Sequence, residues 1–416
     1  MNSKPITAVT LFVSLTLLIS SVFGSSVMWN QTYGSAQNEV AHWVVETSDN
    51  GYAIGGYTRD VNAGEYDRDF LLIKTDINGN MLWNHTYELL EYDIVGSFIE
   101  TSDGGFAIAG ESSNFWLIKT DEHGNVEWKQ TYGSANDGGR PYSIVQTSDL
   151  GYALAGSRWT VGEGGTDVWL IKTDLNGNML WNRTFASIGG DNANSLTITS
   201  DNGFALAGTA WSTNSSSYDF WLIKTDLNGN MQWNQTYDYN NGWWESADFV
   251  TETADGGYVI AGTAAFPPPL PVSNFWLIKT DEIGNIEWSR TIEENDNKKV
   301  NSIIMTSDGG FALAGVYFNN FWLVKLSSNG NQQWTQTYED SESSEAFSIV
   351  ETSDRGYAIA GEIFSLDAED SDFWLVKTDN MGNIPEFPST TILALVLSTV
   401  LGVLIFRKKL VKSSKK

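Results

Sequence analysis

The residues whose types and spacing come closest to a binding site are aspartate and asparagine. Three segments read Asp-x-Asn-Gly-Asn, beginning at Asp76, Asp174 and Asp226. Oxygen ligands at alternate positions suit Ca²⁺. However, no Glu follows at the distance that an EF-hand requires, and a hairpin turn accounts for the same residues. We therefore interpret these segments as turns and predict no cofactor, with calcium as the alternative.

Residues that would support catalysis are scarce. The sequence has no Cys, no Gly-x-Ser-x-Gly motif and only 3 His (His42, His85 and His123), none of them in a metal-type spacing. Acidic residues are plentiful, so a carboxylate pair for glycoside hydrolysis depends on which of them the fold brings together. We predict that the protein is not an enzyme, with an extracellular glycan hydrolase as the alternative.

One lysine recurs in every copy of a repeated segment, and a buried charge of this kind requires a partner. We predict that it pairs with an Asp of the preceding turn or with a Glu just before that turn, and an ion-binding ring is the alternative. The lysines are Lys74, Lys119, Lys172, Lys224, Lys279, Lys325 and Lys377, and the glutamates are Glu46, Glu100, Glu252 and Glu351.

These residues belong to a unit that occurs seven times, with turn aspartates spaced 46 to 54 residues apart at Asp49, Asp103, Asp149, Asp201, Asp255, Asp308 and Asp354. Each unit has four short runs, a to d, rich in β-branched and aromatic residues. In the third unit they are residues 142–147, 151–156, 168–172 and 179–185. Four strands in about 40–50 residues are typical of a propeller blade.

The repeat is displaced at its two ends. Run d appears before the first unit, at residues 28–33, and is missing after the last, where Met381-Gly382-Asn383 leads into Pro-Glu-Phe-Pro. We therefore predict that the N-terminal strand completes the last blade, which removes the exposed sheet edge. The predicted fold is all-β, a closed seven-bladed propeller of four-stranded antiparallel blades over residues 25–384.

The two faces of such a disc differ in sequence. The a–b and c–d turns are nearly uniform and form what we call the regular face, whereas the b–c and d–a loops vary and form the variable face. Variable loops on a rigid scaffold commonly bind ligands, and aromatic side chains suit sugar rings or protein partners. The predicted binding residues are Tyr66, Trp159, Trp211, Tyr218, Trp243, Trp244 and Phe266, and packing between blades is the alternative for each.

The termini indicate export and anchoring. Residues 1–24 have the positive, apolar and small-residue regions of a signal peptide. Residues 390–406 are uncharged and mostly apolar, which predicts a transmembrane helix, and the basic tail 407–416 should stay in the cytoplasm. The propeller is then extracellular, with its regular face towards the membrane and its variable face outward.

The segment between propeller and helix, residues 385–389, contains Pro385, Glu386, Phe387 and Pro388. With the helix and basic cluster it resembles the PEF-type sorting signal of archaeal surface proteins. That resemblance implies an archaeal source and processing by an archaeosortase-type enzyme; a plain membrane anchor is the alternative. The repeat is similar to quinoprotein (PQQ-type) repeats and to uncharacterised archaeal secreted propellers over residues 27–383, a resemblance that implies no activity.

Charge and sequons complete the prediction. The net charge of −27 repels phosphate backbones, so we expect no nucleic-acid partner. Five sequons predict N-glycosylation, at Asn30, Asn84, Asn182, Asn214 and Asn234. We predict a surface-anchored binding or adhesion module for a protein or glycan, and the alternatives are the hydrolase and a structural component of the cell envelope.

Overall fold

The computed structural model describes residues 28–384, except residues 36, 60–67, 88–93, 112–113, 135–137, 161–164, 214–215, 240–243, 266–272, 294–297, 340–342 and 366–369. The predicted signal peptide, sorting segment, transmembrane helix and basic tail lie outside the described residues. Within that described part, no helix is long and apolar enough to cross a membrane.

The described residues form 28 strands in seven four-stranded antiparallel sheets. β1 (Trp29–Tyr33) precedes the first blade. Blade 1 contains β2 (Asn38–Glu46), β3 (Tyr52–Arg59), β4 (Asp69–Thr75) and β5 (Met81–Tyr87). Blade 2 contains β6 (Ile94–Glu100), β7 (Phe106–Glu111), β8 (Phe115–Thr120) and β9 (Val126–Tyr132). Blade 3 contains β10 (Gly139–Gln146), β11 (Tyr152–Thr160), β12 (Gly165–Thr173) and β13 (Met179–Phe185).

The remaining blades have the same strand order. Blade 4 contains β14 (Asn192–Ile198), β15 (Phe204–Ser212), β16 (Ser217–Thr225) and β17 (Met231–Tyr237). Blade 5 contains β18 (Trp244–Glu252), β19 (Tyr258–Ala265), β20 (Ser273–Thr280) and β21 (Ile286–Glu293). Blade 6 contains β22 (Lys298–Met305), β23 (Phe311–Tyr317), β24 (Asn320–Leu326) and β25 (Gln332–Tyr338). Blade 7 contains β26 (Ser343–Glu351), β27 (Tyr357–Ser365) and β28 (Asp370–Thr378).

The N-terminal strand closes the ring. β1 pairs antiparallel with β28, from Trp29 opposite Lys377 to Tyr33 opposite Phe373, so that it is the outer strand of blade 7. The a strands of neighbouring blades contact one another, which places them around the axis, and the d strands form the rim. The predicted seven-bladed propeller and its closure by the N-terminal strand are confirmed.

The hydrophobic core lies between blades. Strands b and c are buried on both faces and read as almost continuous apolar runs, as in Ala153-Leu154-Ala155 of β11 and Leu170-Ile171 of β12. Small residues in strand b let the sheets approach, while the strand-c tryptophans fill the wider space farther out, as Trp221 does between blades 3 and 4. Each unit therefore supplies the same types of core residue, and the same packing recurs between the blades.

A tryptophan of each d strand packs on the glycine of the next blade's c–d turn. Trp29, for example, covers Gly79, where an added Cβ would lie 2.6 Å from the indole ring. That glycine has φ +76°, and its carbonyl accepts a 2.7 Å hydrogen bond from the Tyr33 hydroxyl. Both packing and backbone conformation therefore require glycine there. The other pairs are Trp83–Gly124, Trp128–Gly177, Trp181–Gly229, Trp233–Gly284, Trp288–Gly330 and Trp334–Gly382.

Each recurring lysine is buried and pairs with the turn aspartate of its own blade, as predicted. Its Nζ lies 2.8–3.1 Å from the carboxylate in all seven blades, as in Lys74–Asp49. The glutamates serve a different purpose from the predicted one. Glu100, for instance, accepts hydrogen bonds from the main-chain N–H and hydroxyl of Ser48 in the preceding blade, so it joins two blades.

Candidate functional site

Three of the predicted aromatic residues meet on the variable face between blades 4 and 5. Trp211 at the end of β15 lies opposite Tyr218 at the start of β16, with ring centroids 5.1 Å apart. Trp244, the first residue of β18, lies 6.5 Å from Tyr218. The planes are inclined by 78° and 87°, an edge-to-face arrangement. We call Trp211, Tyr218 and Trp244 the aromatic patch.

Of the other four predicted aromatic residues, the structure describes Trp159, which is not part of this patch. Trp159 occupies the position in β11 that Trp211 has in β15, and it is 60% exposed. It lies opposite Thr166 in blade 3. Tyr66, Trp243 and Phe266 lie outside the described residues. The structure therefore brings together three of the seven predicted residues.

The length of the blade-4 strands explains the position of the patch. The β15–β16 ladder continues to Ser212 opposite Ser217, so its last residues extend beyond the buried core. The connection entering β14 packs against Trp211, because a Cβ added to Gly189 would lie 2.7 Å from the Trp211 Cβ. Asp191 also accepts the main-chain N–H of Trp211 at 3.1 Å. The connection before β14 therefore holds Trp211 in place.

A cavity of about 230 Å³ opens beside the aromatic patch. Trp244, which is 50% exposed, stands at this cavity, so an apolar ring face borders a polar recess. The recess can both donate and accept hydrogen bonds. Its other lining residues include Thr166, Asn192, Thr209, Tyr218, Glu245 and Ser246.

Among the residues that the structure describes, three blades have a buried acid at the start of strand a. Glu39 and Asp191 each accept a hydrogen bond from a serine hydroxyl, from Ser35 and Ser187 respectively. Burial raises the pKa of both carboxyls, and the serine hydrogen bonds oppose that rise. The third acid is Glu245.

Glu245 has no such serine. Counted from the end of strand d, the place of Ser35 and Ser187 is taken by Tyr239, whose hydroxyl accepts a hydrogen bond from Asn274 in blade 5. Glu245 is only 1% exposed, and neither of its carboxylate oxygens accepts a hydrogen bond of good geometry from the described residues. It is therefore a buried acid whose hydrogen-bonding needs are unmet.

Two further carboxylates adjoin Glu245. Asp219 is buried in β16 and Asp238 is exposed just after β17, and one oxygen from each of the three residues lies within 4.8 Å of the others. Burial raises the pKa of Glu245 to about 9, the charges of Asp219 and Asp238 add to this, and the main-chain N–H of Tyr239 opposes it. We call Asp219, Asp238 and Glu245 the acidic cluster.

The sequence prediction missed this cluster. A weak signal was present, because every unit has Asp or Asn at the position of Asp219. Glu245 resembles an ordinary residue at the start of a strand, and no motif joins it to Asp219. The equivalent residues of the other units are Asp69, Asn114, Asp167, Asn274, Asn320 and Asp372.

The Asp-x-Asn-Gly-Asn segments are turns whose oxygens serve the turn itself. Asp76 Oδ1 accepts the main-chain N–H groups of Asn78 and Asn80, and its Oδ2 accepts the Asn80 side chain. Asp174 and Asp226 make the same bonds in their own turns. The hairpin interpretation accounts for these residues, and calcium there stays the untested alternative.

The predicted sequons lie on the outer strands. Asn30, Asn84, Asn182 and Asn234 are exposed on d strands, and Asn214 and the Pro385–Pro388 motif lie outside the described residues. Asn182 and Asn234 also accept the indole N–H groups of Trp169 and Trp221. These asparagines therefore have a packing role, and glycosylation stays a prediction.

Comparison with known proteins supports the fold. No protein family model and no curated protein matches this chain. Among solved structures, polysaccharide lyase Uly1 is similar over 82% of this chain and 90% of its own, with 8% identity and a TM-score of 0.55. The Neurospora crassa Pan2 WD40 domain is similar over 87% and 99%, with 11% identity and a TM-score of 0.53. At these identities the likeness shows the propeller fold alone.

Proposed function

We propose that this protein is a cell-surface binding module that holds a glycan at the aromatic patch and the cavity beside it. A half-exposed Trp244 ring next to a recess lined by hydroxyl and amide groups carries the proposal. Sugar rings present C–H faces that stack on aromatic rings and hydroxyls that need hydrogen-bond partners. The patch and cavity offer both within one blade junction.

The composition of the site favours a glycan over a protein ligand. The cavity of about 230 Å³ is shallow and mixed in polarity, whereas a protein hot spot would need a broader apolar surface around it. The net charge of −27 further favours neutral or basic ligands over acidic ones.

The position of the chain end is consistent with display of this face. β28 ends at Thr378 and the described chain leaves blade 7 through its c–d turn, so Ile384 lies on the regular face. If residues 390–406 anchor the protein, the variable face points away from the membrane. Export by the signal peptide, N-glycosylation and archaeosortase-type processing at Pro385–Pro388 belong to the same proposal.

A glycan hydrolase is the second candidate, favoured by the acidic cluster. Glu245, with its raised pKa, could serve as an acid beside Asp219, and retaining glycosidases place two carboxyls about 5–5.5 Å apart. Against this role, Asp219 and Glu245 are 4% and 1% exposed, which leaves little access for a glycosidic bond between them. Binding is therefore the better-supported function.

Glycan-array binding of the purified full-length protein tests the proposal. We expect Trp244→Ala to weaken binding at least roughly tenfold, as loss of a stacking ring does at binding hot spots. Trp159→Ala is the matched control, since this exposed tryptophan lies outside the patch, and it should keep wild-type binding.

The result decides between the candidate functions. Equal loss in both variants, or no glycan bound by the wild type, would contradict the proposed site. Release of reducing sugar that Glu245→Gln abolishes would favour the hydrolase, and absence of any ligand would favour a structural role in the envelope.

A further inference from the structure

We propose that Asp219, Asp238 and Glu245 bind a divalent cation, calcium by preference, at the junction of blades 4 and 5. The three residues come from strand c, the end of strand d and the start of the following strand a, so the junction itself assembles the site. This inference goes beyond ligand binding at the aromatic patch and does not depend on it.

The unmet needs of Glu245 point to a bound ion. A carboxyl that is 1% exposed, with two oxygens lacking good hydrogen bonds, is costly beside two other acids. Glu39 and Asp191 occupy the equivalent positions in blades 1 and 4 and are satisfied by serine hydroxyls. A cation would supply for Glu245 what the serines supply there.

Nearby hydroxyls give an independent second observation. The Thr209 hydroxyl and the Ser217 hydroxyl are both buried, and neither has a hydrogen-bond partner among the described residues. Thr209 lines the same cavity as Glu245, and Ser217 lies two residues before Asp219 in β16. Thr209 in particular places a neutral, unpartnered oxygen at the cavity that Glu245 lines, and calcium accepts such oxygens as ligands, directly or through water.

The type of ligand favours calcium over magnesium. Ca²⁺ accepts about six to eight oxygen ligands in a flexible geometry, whereas Mg²⁺ demands a near-ideal octahedron and usually keeps several of its waters. The cluster offers three carboxylates from three different segments, with oxygens that all lie within 4.8 Å of one another, and such a set suits the less demanding ion. The strongly negative protein also raises the local concentration of cations.

A proton is the competing occupant of Glu245. Retained on the carboxyl, it would remove one charge and let Glu245 donate to a neighbouring acid. A cation differs from a proton in one measurable respect, because it makes the stability of the folded protein depend on calcium concentration.

The test is calorimetric titration of the purified full-length protein with Ca²⁺, supported by terbium luminescence excited through tryptophan. We expect one calcium ion to bind per protein molecule, with a Kd near that of extracellular calcium modules, about 10⁻⁴ to 10⁻³ M. Glu245→Gln and Asp219→Asn should each weaken that site roughly tenfold or more, because affinity follows the number of charged ligands. Glu39→Gln, at the equivalent position in blade 1, should leave it unchanged.

Thermal unfolding separates loss of the site from loss of the fold. Calcium should raise the Tm of the wild type and of Glu39→Gln but not that of Glu245→Gln, which should fold normally because it removes a buried charge. No calcium-dependent shift in the wild type would overturn the proposal, and so would calcium affinity that survives both Glu245→Gln and Asp219→Asn.

The two proposals fail separately. Trp244→Ala should weaken glycan binding at least roughly tenfold while keeping the calcium affinity measured by calorimetry. If Glu245→Gln loses calcium binding and nothing else, that result supports the cation site whether or not a glycan ligand is found.

Discussion

Glu46 in the first blade accepts hydrogen bonds from the main-chain N–H and the hydroxyl of Ser353 in the seventh, at 2.7 and 2.9 Å. The two residues are 307 positions apart in the chain, yet the same pair of bonds joins Ser48 to Glu100 in adjacent blades. The closing junction is thus built like the junction between blades 1 and 2. Closure depends on this contact near the axis as well as on β1 at the rim.

Replacing Glu46 should therefore weaken the closed ring. Glu46→Ala leaves the Ser353 donors without their acceptor and should lower the free energy of unfolding by about 1 kcal/mol. Glu46→Gln should stay within about 0.5 kcal/mol, because Gln146 already accepts the Ser102 N–H at 2.8 Å at the equivalent junction. Denaturant unfolding measures both, and equal effects of the two variants would contradict a role as acceptor.

Gly79 offers a test of the tryptophan-on-glycine contact. Gly79→Ala must adopt φ near +76° and also displace the Trp29 ring, whereas Gly309→Ala meets φ near +80° with nothing within 4 Å of the added Cβ. The backbone cost, about 1–2 kcal/mol, is common to both. Overpacking should add about 1–3 kcal/mol for Gly79→Ala alone. Thermal unfolding of the two variants compares them directly, and equal losses would mean that the ring moves freely.

The architecture could be predicted because the same sequence unit occurs seven times. The recurring Lys and Asp lie within one unit, 16–25 residues apart in sequence, and a buried charge needs a nearby partner, so the pairing follows from the unit alone. The copy of run d that precedes the first unit predicted in the same way that the N-terminal strand closes the ring. Because the unit is repeated, an interpretation of one position could be compared with the same position in six other units.

Contacts between blades could not be predicted from the sequence of a single unit. Ser48 and Glu100 are 52 residues apart, and which residue of the next blade faces the turn depends on the spacing and twist of the ring. The acidic cluster is still harder to predict, because Asp219 and Glu245 belong to different blades. The raised pKa of Glu245 also arises mainly from its burial, which the sequence does not show. The aromatic patch was predicted as residues of one face, and only the register of β15 with β16 brings Trp211 beside Tyr218.

The lysine–aspartate pairs predict how acid affects stability. Hydrogen bonds from the paired Lys and from the turn lower the pKa of Asp49, Asp201, Asp255 and Asp308 to about 2, against the opposing effect of partial burial. A lowered folded-state pKa stabilises the protein above the ordinary pKa of about 3.9, and this contribution is lost as pH falls through the folded value. Tm should therefore fall steeply between about pH 4 and pH 2. A Tm that stays level to pH 2 would contradict the pairing.

The junction between blades 5 and 6 lacks the serine–glutamate contact and can be given one. Ala254 stands where the other six blades have the turn serine, and Met305, which is 37% exposed, stands where five of the other six have Glu or Gln. Ala254→Ser combined with Met305→Gln should raise the free energy of unfolding by about 0.5–1.5 kcal/mol, because the new amide oxygen can accept from both the main-chain N–H and the hydroxyl. Ala254→Ser alone should be nearly neutral, since the added hydroxyl then faces methionine. A double-mutant cycle by denaturant unfolding measures the coupling, and a coupling energy near zero would mean that the spacing at this junction differs from that between Ser48 and Glu100.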